Sequence, residues 1–140
     1  MKEALRENVA SLSPVITEFE KPFWNSLQNG QLMVQKCPEC GHVQFPPSPV
    51  CSNCLSDTVQ WVNCSNKATL WSWVAFHKAY LEPYGDVPYG VVLAKLEEGP
   101  IVTGRMSAET VSTTAFDAPL RATYVKTADG TVLVEFVPEK

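Results

Sequence analysis

The sequence predicts a mainly β protein, with N-terminal helices, a metal-held ribbon and then a small five-stranded barrel. Three observations carry this. Four of the five cysteines fall into two C-x2-C pairs, Cys37/Cys40 and Cys51/Cys54. From Ala68 onward, stretches rich in Val, Leu, Thr and aromatics are separated by turn signals, as strands are. Ahead of both, Phe23, Trp24 and Leu27 lie at helical spacing between Pro22 and Gly30. The expected division is a helical segment over residues 1–30, a zinc ribbon over 31–66 and a barrel over 67–140.

Bulk properties agree with a packed chain. At 140 residues there is room for a metal module beside one compact domain. Hydrophobic residues at 45% against charged residues at 19% place it among globular rather than disordered sequences. Residues 1–10 carry Lys2, Glu3, Arg6 and Glu7 and lack the apolar core of a signal peptide, and no later stretch has the length of a membrane span. The expected location is the cytoplasm, where close cysteine pairs point to metal rather than to disulfides.

Residues 1–36 read as mixed polar and apolar helix, broken near Ser11, Ser13 and Pro14 into a short first piece and a second. Pro22 suits the first turn of the second piece, because its missing N–H has no partner to lose there. Gly30 suits the left-handed stop. Residues 31–36 then alternate, with Leu32 and Val34 on one side and Met33 on the other, as a strand leading into the first cysteine pair would.

The cysteine pairs stand ten residues apart. Two residues between ligands let one turn aim both sulfurs at one ion, and Gly41 fits the positive φ such a turn needs next. Four thiolates leave no open coordination position, so the ion supports folding and offers no Lewis acid. A structural zinc is the favoured occupant; rubredoxin-type iron and a redox dithiol are the other readings. Between the pairs, Pro46, Pro47 and Pro49 exclude a helix and leave an extended loop. Residues 37–65 contain no Lys or Arg, so this module repels phosphate backbones.

Five strands are expected in the barrel, at 69–79, 89–96, 101–106, 120–126 and 131–137. Glu97-Glu98-Gly99-Pro100 reads as a turn, and Ala128-Asp129-Gly130 as a tight hairpin. A five-stranded OB barrel closes such a set without long exposed edges.

Few other residues suggest chemistry. Cys64 has no His near it in sequence and reads as a small buried hydrophobe rather than a catalytic thiol. His42 and His77 read as surface residues, with metal or anion binding as the alternative. No Ser-His-Asp order, phosphate loop or paired carboxylate motif is present. Trp61, Trp71, Trp73 and Phe76 form an aromatic group near the join of ribbon and barrel, and period-2 alternation puts Trp71 and Trp73 on one face.

The order Phe23-Trp24, Gly30-Gln31-Leu32, Cys37-Pro38-Glu39-Cys40-Gly41, Phe45-Pro46-Pro47, Cys51-Ser52-Asn53-Cys54, Pro88-Tyr89-Gly90-Val91-Val92 and Leu96-Glu97-Glu98-Gly99-Pro100 resembles the DUF35 family, over about residues 19–137. The resemblance implies a rubredoxin-like zinc ribbon with Cys37, Cys40, Cys51 and Cys54 on one structural Zn2+, followed by an OB fold. It also implies a zinc-binding accessory subunit of an acyl-CoA-handling complex, partnered with a thiolase-like or hydroxymethylglutaryl-CoA-synthase-like protein. In such a complex (thiolase, acyltransferase or aldolase type) this chain would be required but not catalytic, supporting assembly and CoA-ester binding or transfer. Phe23, Trp24, Phe45, Pro46, Pro88 and Tyr89 are the candidates for an apolar docking face. Lys78 and Arg105, with Lys95 and Arg121, are those for CoA phosphates. No nucleic acid and no membrane is expected as partner. The alternatives are a single-stranded nucleic-acid-binding protein, for which the aromatics are present and a basic groove is not, an independent acyl-CoA hydrolase, and an iron electron carrier.

Overall fold

A computed structural model describes residues 14–78 and 87–139, together with the backbone of 6–9. Pro22 stands in the first turn of α1 (Lys21–Gln28), and Gly30, at φ 68°, ends it as expected. The ribbon is a three-stranded antiparallel sheet in the order β3-β2-β4, with β2 at Met33–Lys36, β3 at Val43–Gln44 and β4 at Gln60–Asn63. All five expected barrel strands form: β5 (Lys67–Phe76), β6 (Tyr89–Leu96), β7 (Ile101–Ser107), β8 (Pro119–Thr127) and β9 (Val132–Pro138). Ala79, the expected end of the first of them, lies outside the described residues.

Antiparallel pairs join β5–β6, β6–β7, β8–β9 and β5–β8, and a single parallel pair, Arg105 with Glu135, joins β7 to β9. The circuit is a closed five-stranded barrel, the OB fold. Closure between β7 and β9 is thus thin, and Gly104 beside it makes room for Phe136: a Cβ there would stand 2.5 Å from the ring. Turn chemistry acts where expected. Gly130, at φ 92°, closes the β8–β9 hairpin, and Asp129 accepts from the Thr131 N–H at 3.1 Å.

Two elements depart from the sequence reading. The first N-terminal piece is not helical over β1 (Arg6–Val9), which runs parallel beside β8. Its Arg-Glu-Asn-Val sequence has no strand pattern, so the free edge of β8 supplies the conformation. A short α2 (Ala108–Thr113), capped by Ser107 Oγ accepting from Thr110 N, plugs the barrel with fully buried Val111.

Ribbon and barrel share one core. Phe23, Leu27, Leu32 and Val34 from the N-terminal side join Leu70, Val92, Val111 and Phe136 in a continuous buried cluster. Gln31 stitches the join, its Nε2 donating to the carbonyls of Leu32 and Cys64, both at 2.8 Å. Among the described residues no helix is long and apolar enough to cross a membrane.

Candidate functional site

The metal centre is built by two similar turns. Gly41 N–H donates to Cys37 O at 2.8 Å and Leu55 N–H to Cys51 O at 2.9 Å, and the residue after each second cysteine takes positive φ, 78° at Gly41 and 64° at Leu55. The four Sγ atoms lie within 4.8 Å of one another, with Cys37–Cys54 at 3.6 Å and Cys40–Cys51 at 3.7 Å. A tetrahedron with Zn–S near 2.3 Å needs sulfurs about 3.8 Å apart, so the donor set fits one zinc. Around it, Asn53 N–H faces Cys51 Sγ at 3.4 Å and Asn53 Nδ2 faces Cys40 Sγ at 3.5 Å. The Asn53 amide and the His42 backbone N–H favour the Cys40 thiolate and lower that thiol to about 6. His42 is no ligand; its Nε2 pairs with Ser52 Oγ at 3.1 Å across the two turns.

The proline loop is held by two buried glutamines that the sequence did not single out. Gln35 Oε1 accepts from Ser48 N–H and from Gln44 Nε2, both at 2.8 Å. Gln44 also donates to Val50 O at 3.1 Å and accepts from Ser52 N–H at 2.8 Å. Residues 45–50 are therefore fixed to the ribbon strands as well as through the metal turns.

That loop forms one wall of a cavity of about 500 Å³ at the thin β7–β9 seam. Five of the eight residues singled out for docking line it: Phe23, Trp24, Phe45, Tyr89 and Arg105. Phe23 packs edge-on to Trp24 at 5.2 Å between ring centroids, and tilts against Phe45 at 5.4 Å. Tyr89 stacks on Phe76 at 5.1 Å, and the Arg105 guanidinium lies 5.4 Å over the Tyr89 ring. Pro46, Pro88 and Lys78 are exposed and are not among the lining residues. Leu27, Val91, Leu133 and the backbone near Gly104 complete the walls, through a strand seam that no local pattern announces. Among the described residues the lining includes no His, Cys, Asp or Glu.

The other candidates lie elsewhere. Arg121 faces Glu139 at 3.6 Å, His77 is exposed just past β5, and Lys95 sits 5.3 Å over Trp71. Cys64 is buried, and that burial with the Glu98 carboxylate beside it pushes its thiol up to about 12, away from nucleophilic use. Trp71 and Trp73 do not share a face. A bulge between Leu70 and Ser72 inserts Trp71 as an extra residue, leaving it 51% exposed while Trp73 packs against the core.

Comparison with known proteins agrees with this architecture. Two family descriptions match in tandem, "ChsH2, rubredoxin-like zinc ribbon domain" over residues 24–60 and "ChsH2, C-terminal OB-fold domain" over 61–125. The 3-oxo-4,17-pregnadiene-20-carboxyl-CoA hydratase alpha subunit of Mycobacterium tuberculosis is 29% identical over 107 residues, 76% of this chain and 34% of that one. The chain thus spans about a third of that relative's length. A DUF35 domain-containing scaffold protein of Pyrococcus furiosus is 33% identical over 79 residues, covering 55% of this chain and 56% of its own. Among solved structures, the Ltp2-ChsH2(DUF35) aldolase superposes with a TM-score of 0.81 at 21% identity, over 90% of this chain and 98% of that one.

Proposed function

Since the chain belongs to the DUF35 family, we propose that it is the zinc-binding accessory subunit of an acyl-CoA-handling complex, with a thiolase-superfamily partner supplying the reacting groups. The observation that carries this is the cavity. Its volume of about 500 Å³ lies within the ordinary range for small-molecule sites, and its aromatic walls suit the slender pantetheine arm of a CoA ester. Arg105 at the wall adds one cation for an anionic end, while residues 37–65 of the ribbon, without Lys or Arg, add none. Among the described residues the lining holds no acid, base or thiol nucleophile, which supports a role in shape and orientation. Zinc with four thiolates around it supplies folding energy and a rigid ribbon when bound.

The names of the relatives point the same way: one is a CoA hydratase alpha subunit and another a scaffold protein. A single-stranded nucleic-acid reading has one observation in its favour, the Trp71–Lys95 and Tyr89–Arg105 pairs on the barrel sheet. The acidic ribbon beside them opposes it.

The test is reconstitution. Acyl-CoA turnover is measured for this chain, for a thiolase-superfamily partner and for the mixture, and CoA-ester affinity is measured by calorimetry for wild type and Tyr89→Ala. The expected result is turnover only where the partner is present and a roughly 10-fold weaker ester affinity in the variant, as for loss of one aromatic wall. Turnover by the isolated chain, or tight salt-sensitive binding of single-stranded DNA in place of the ester, would overturn the proposal.

A further inference from the structure

β5, β6 and β7 have a second face, turned away from the core. Along β6, Gly90, Val92, Ala94 and Leu96 are buried, so Tyr89, Val91, Leu93 and Lys95 point the other way. The register sets Val91 between Val74 and Arg105, and Leu93 between Ser72 and Thr103. Trp71 is 51% exposed, Val74 46%, Leu93 38% and Ile101 37%. Single exposed apolar residues need no explanation, but these sit together on one sheet surface.

Among the described residues of these three strands the charge is one-sided. The three strands hold Lys67, Lys95 and Arg105 and no Asp or Glu, in a chain that has 15 acidic and 11 basic residues. Two of those cations lie over aromatic rings, Lys95 on Trp71 and Arg105 on Tyr89, so apolar area and positive charge are presented together. The complement is a protein surface with an apolar centre and carboxylates at its margin. This chain's own ribbon packs Phe45, Trp61 and Val62 against the core instead and exposes only Leu55 among its described large hydrophobics.

The surface also runs into the cavity, since Phe76, Tyr89, Val91 and Arg105 belong to both. Three strands about 4.8 Å apart and about 20 Å long present only about 300 Å². A stable interface takes about 800 Å² from each partner, so a chain seated here extends over the mouth of the cavity towards α1 and Phe45.

Resting on the reading above, we propose that the outward face of β5–β6–β7 is where the catalytic protein chain docks, through an apolar patch fringed by Asp and Glu, and that docking closes the cavity into a site shared by the two chains. Trp71 is its anchor at the end away from the cavity, as buried aromatics are anchors in interfaces. Lys67 and Lys95 meet the partner's carboxylates.

The experiment uses the full chain, tagged and co-expressed with a thiolase-superfamily protein from the same genome. Complex formation and CoA-ester affinity are measured for wild type, Trp71→Glu, Leu93→Glu and Leu55→Asn, with zinc content and melting temperature confirming the fold. Leu55 is 75% exposed on the second metal turn, away from this face, and Asn tolerates its left-handed backbone. Wild type and Leu55→Asn should form the complex, and Trp71→Glu and Leu93→Glu should weaken it at least 100-fold. The ester should bind the complex more tightly than the chain alone, a gain both Glu variants lose. If the Glu variants bind the partner as wild type does, the docking face is wrong and the accessory-subunit reading stands. If wild type forms no complex, that reading fails too. A homodimer of the isolated chain that Trp71→Glu splits, or binding to anionic vesicles or single-stranded DNA that Trp71→Glu abolishes, would give the face a different occupant and overturn the proposal.

Discussion

Replacing Gln35 by Leu tests whether the wall of the cavity is held by the ribbon strands or by zinc alone. Gln35 is 3% exposed, and its Oε1 receives two hydrogen bonds of 2.8 Å, from Ser48 N–H and Gln44 Nε2. Leu has similar volume and leaves no large void, but it deprives the Ser48 N–H of its acceptor and Gln44 of one of two. A buried donor left unpaired costs about 1–3 kcal/mol, and a typical lost hydrogen bond about 1 kcal/mol. Burying Leu in place of an amide returns about 1 kcal/mol. The net loss is about 2 kcal/mol. With a urea slope near 2 kcal/mol/M for a chain of this size, the midpoint falls by about 1 M. Zinc content should stay at one per chain, because the ligands are untouched, while the Ser48 and Ser52 amides exchange faster and CoA-ester affinity drops as Phe45 loosens. A midpoint within about 0.2 M of wild type with unchanged Ser48 protection would show that the metal turns alone fix the loop, and the glutamine account would be wrong.

Gly104→Ala places a methyl 2.5 Å from the ring of Phe136, which has no exposed surface to retreat into, so a loss of about 1–3 kcal/mol is expected in the same urea titration. Gly41→Ala meets no atom within 4 Å and should lose only the cost of its positive φ, about 1 kcal/mol. Cys51→Ser should abolish stoichiometric zinc by atomic emission and remove amide protection from β2–β4 first, because metal binding and ribbon folding are one equilibrium. An unfolded thiol ionises near 8.5 whereas Cys64 in the fold holds its proton to about 12, so the native chain binds more protons than the unfolded one across that window. Stability should accordingly fall as pH rises from about 8.5 to about 12, and Cys64→Ala should flatten part of that slope; Tyr124, also pushed up by burial, sustains the rest. A slope identical in the variant would disprove the Cys64 contribution.

What the sequence revealed follows from how local each signal is. The metal turns, the Pro22–Gly30 helix and the β6 strand at Tyr89–Leu96 are each specified within a few residues, and each stands where it was expected. β1 was illegible because its conformation comes from a neighbouring strand edge, and α2 because the β-branched Val111 and Thr113 favour strand more than helix. Gln35 and Gln44 carried no signal in the sequence, because what makes their burial tolerable is the backbone N–H and C=O groups of the loop they bind. Phe23, Trp24, Phe45, Tyr89 and Arg105 were legible individually; that they share one cavity depends on the sparse β7–β9 closure, which brings Leu133 and Gly104 to the same place.

The bulge at Trp71 governs how ribbon, cavity and outer face are related. In an unbroken strand, burial of Ala68 and Leu70 would turn Ser72, Val74 and Phe76 inward and Trp73 outward. The extra residue reverses the second half: Trp73 pairs opposite Val92 on the core side, and Phe76 pairs opposite Tyr89 on the other. Without that reversal Phe76 would point into the barrel and the cavity would lose the ring on which Tyr89 stacks. Trp71 itself stays outside, as it would in an unbroken strand, under Lys95 at the end of the exposed strip that leads to Arg105. Bulges beside sites re-aim side chains at the expense of one ladder position. Here the inserted residue supplies the wall that a ligand would touch, so a change that straightens β5 with Trp71 kept should remove the Phe76–Tyr89 stack and leave Trp71 on the outer face, which separates the cavity from the exposed strip experimentally.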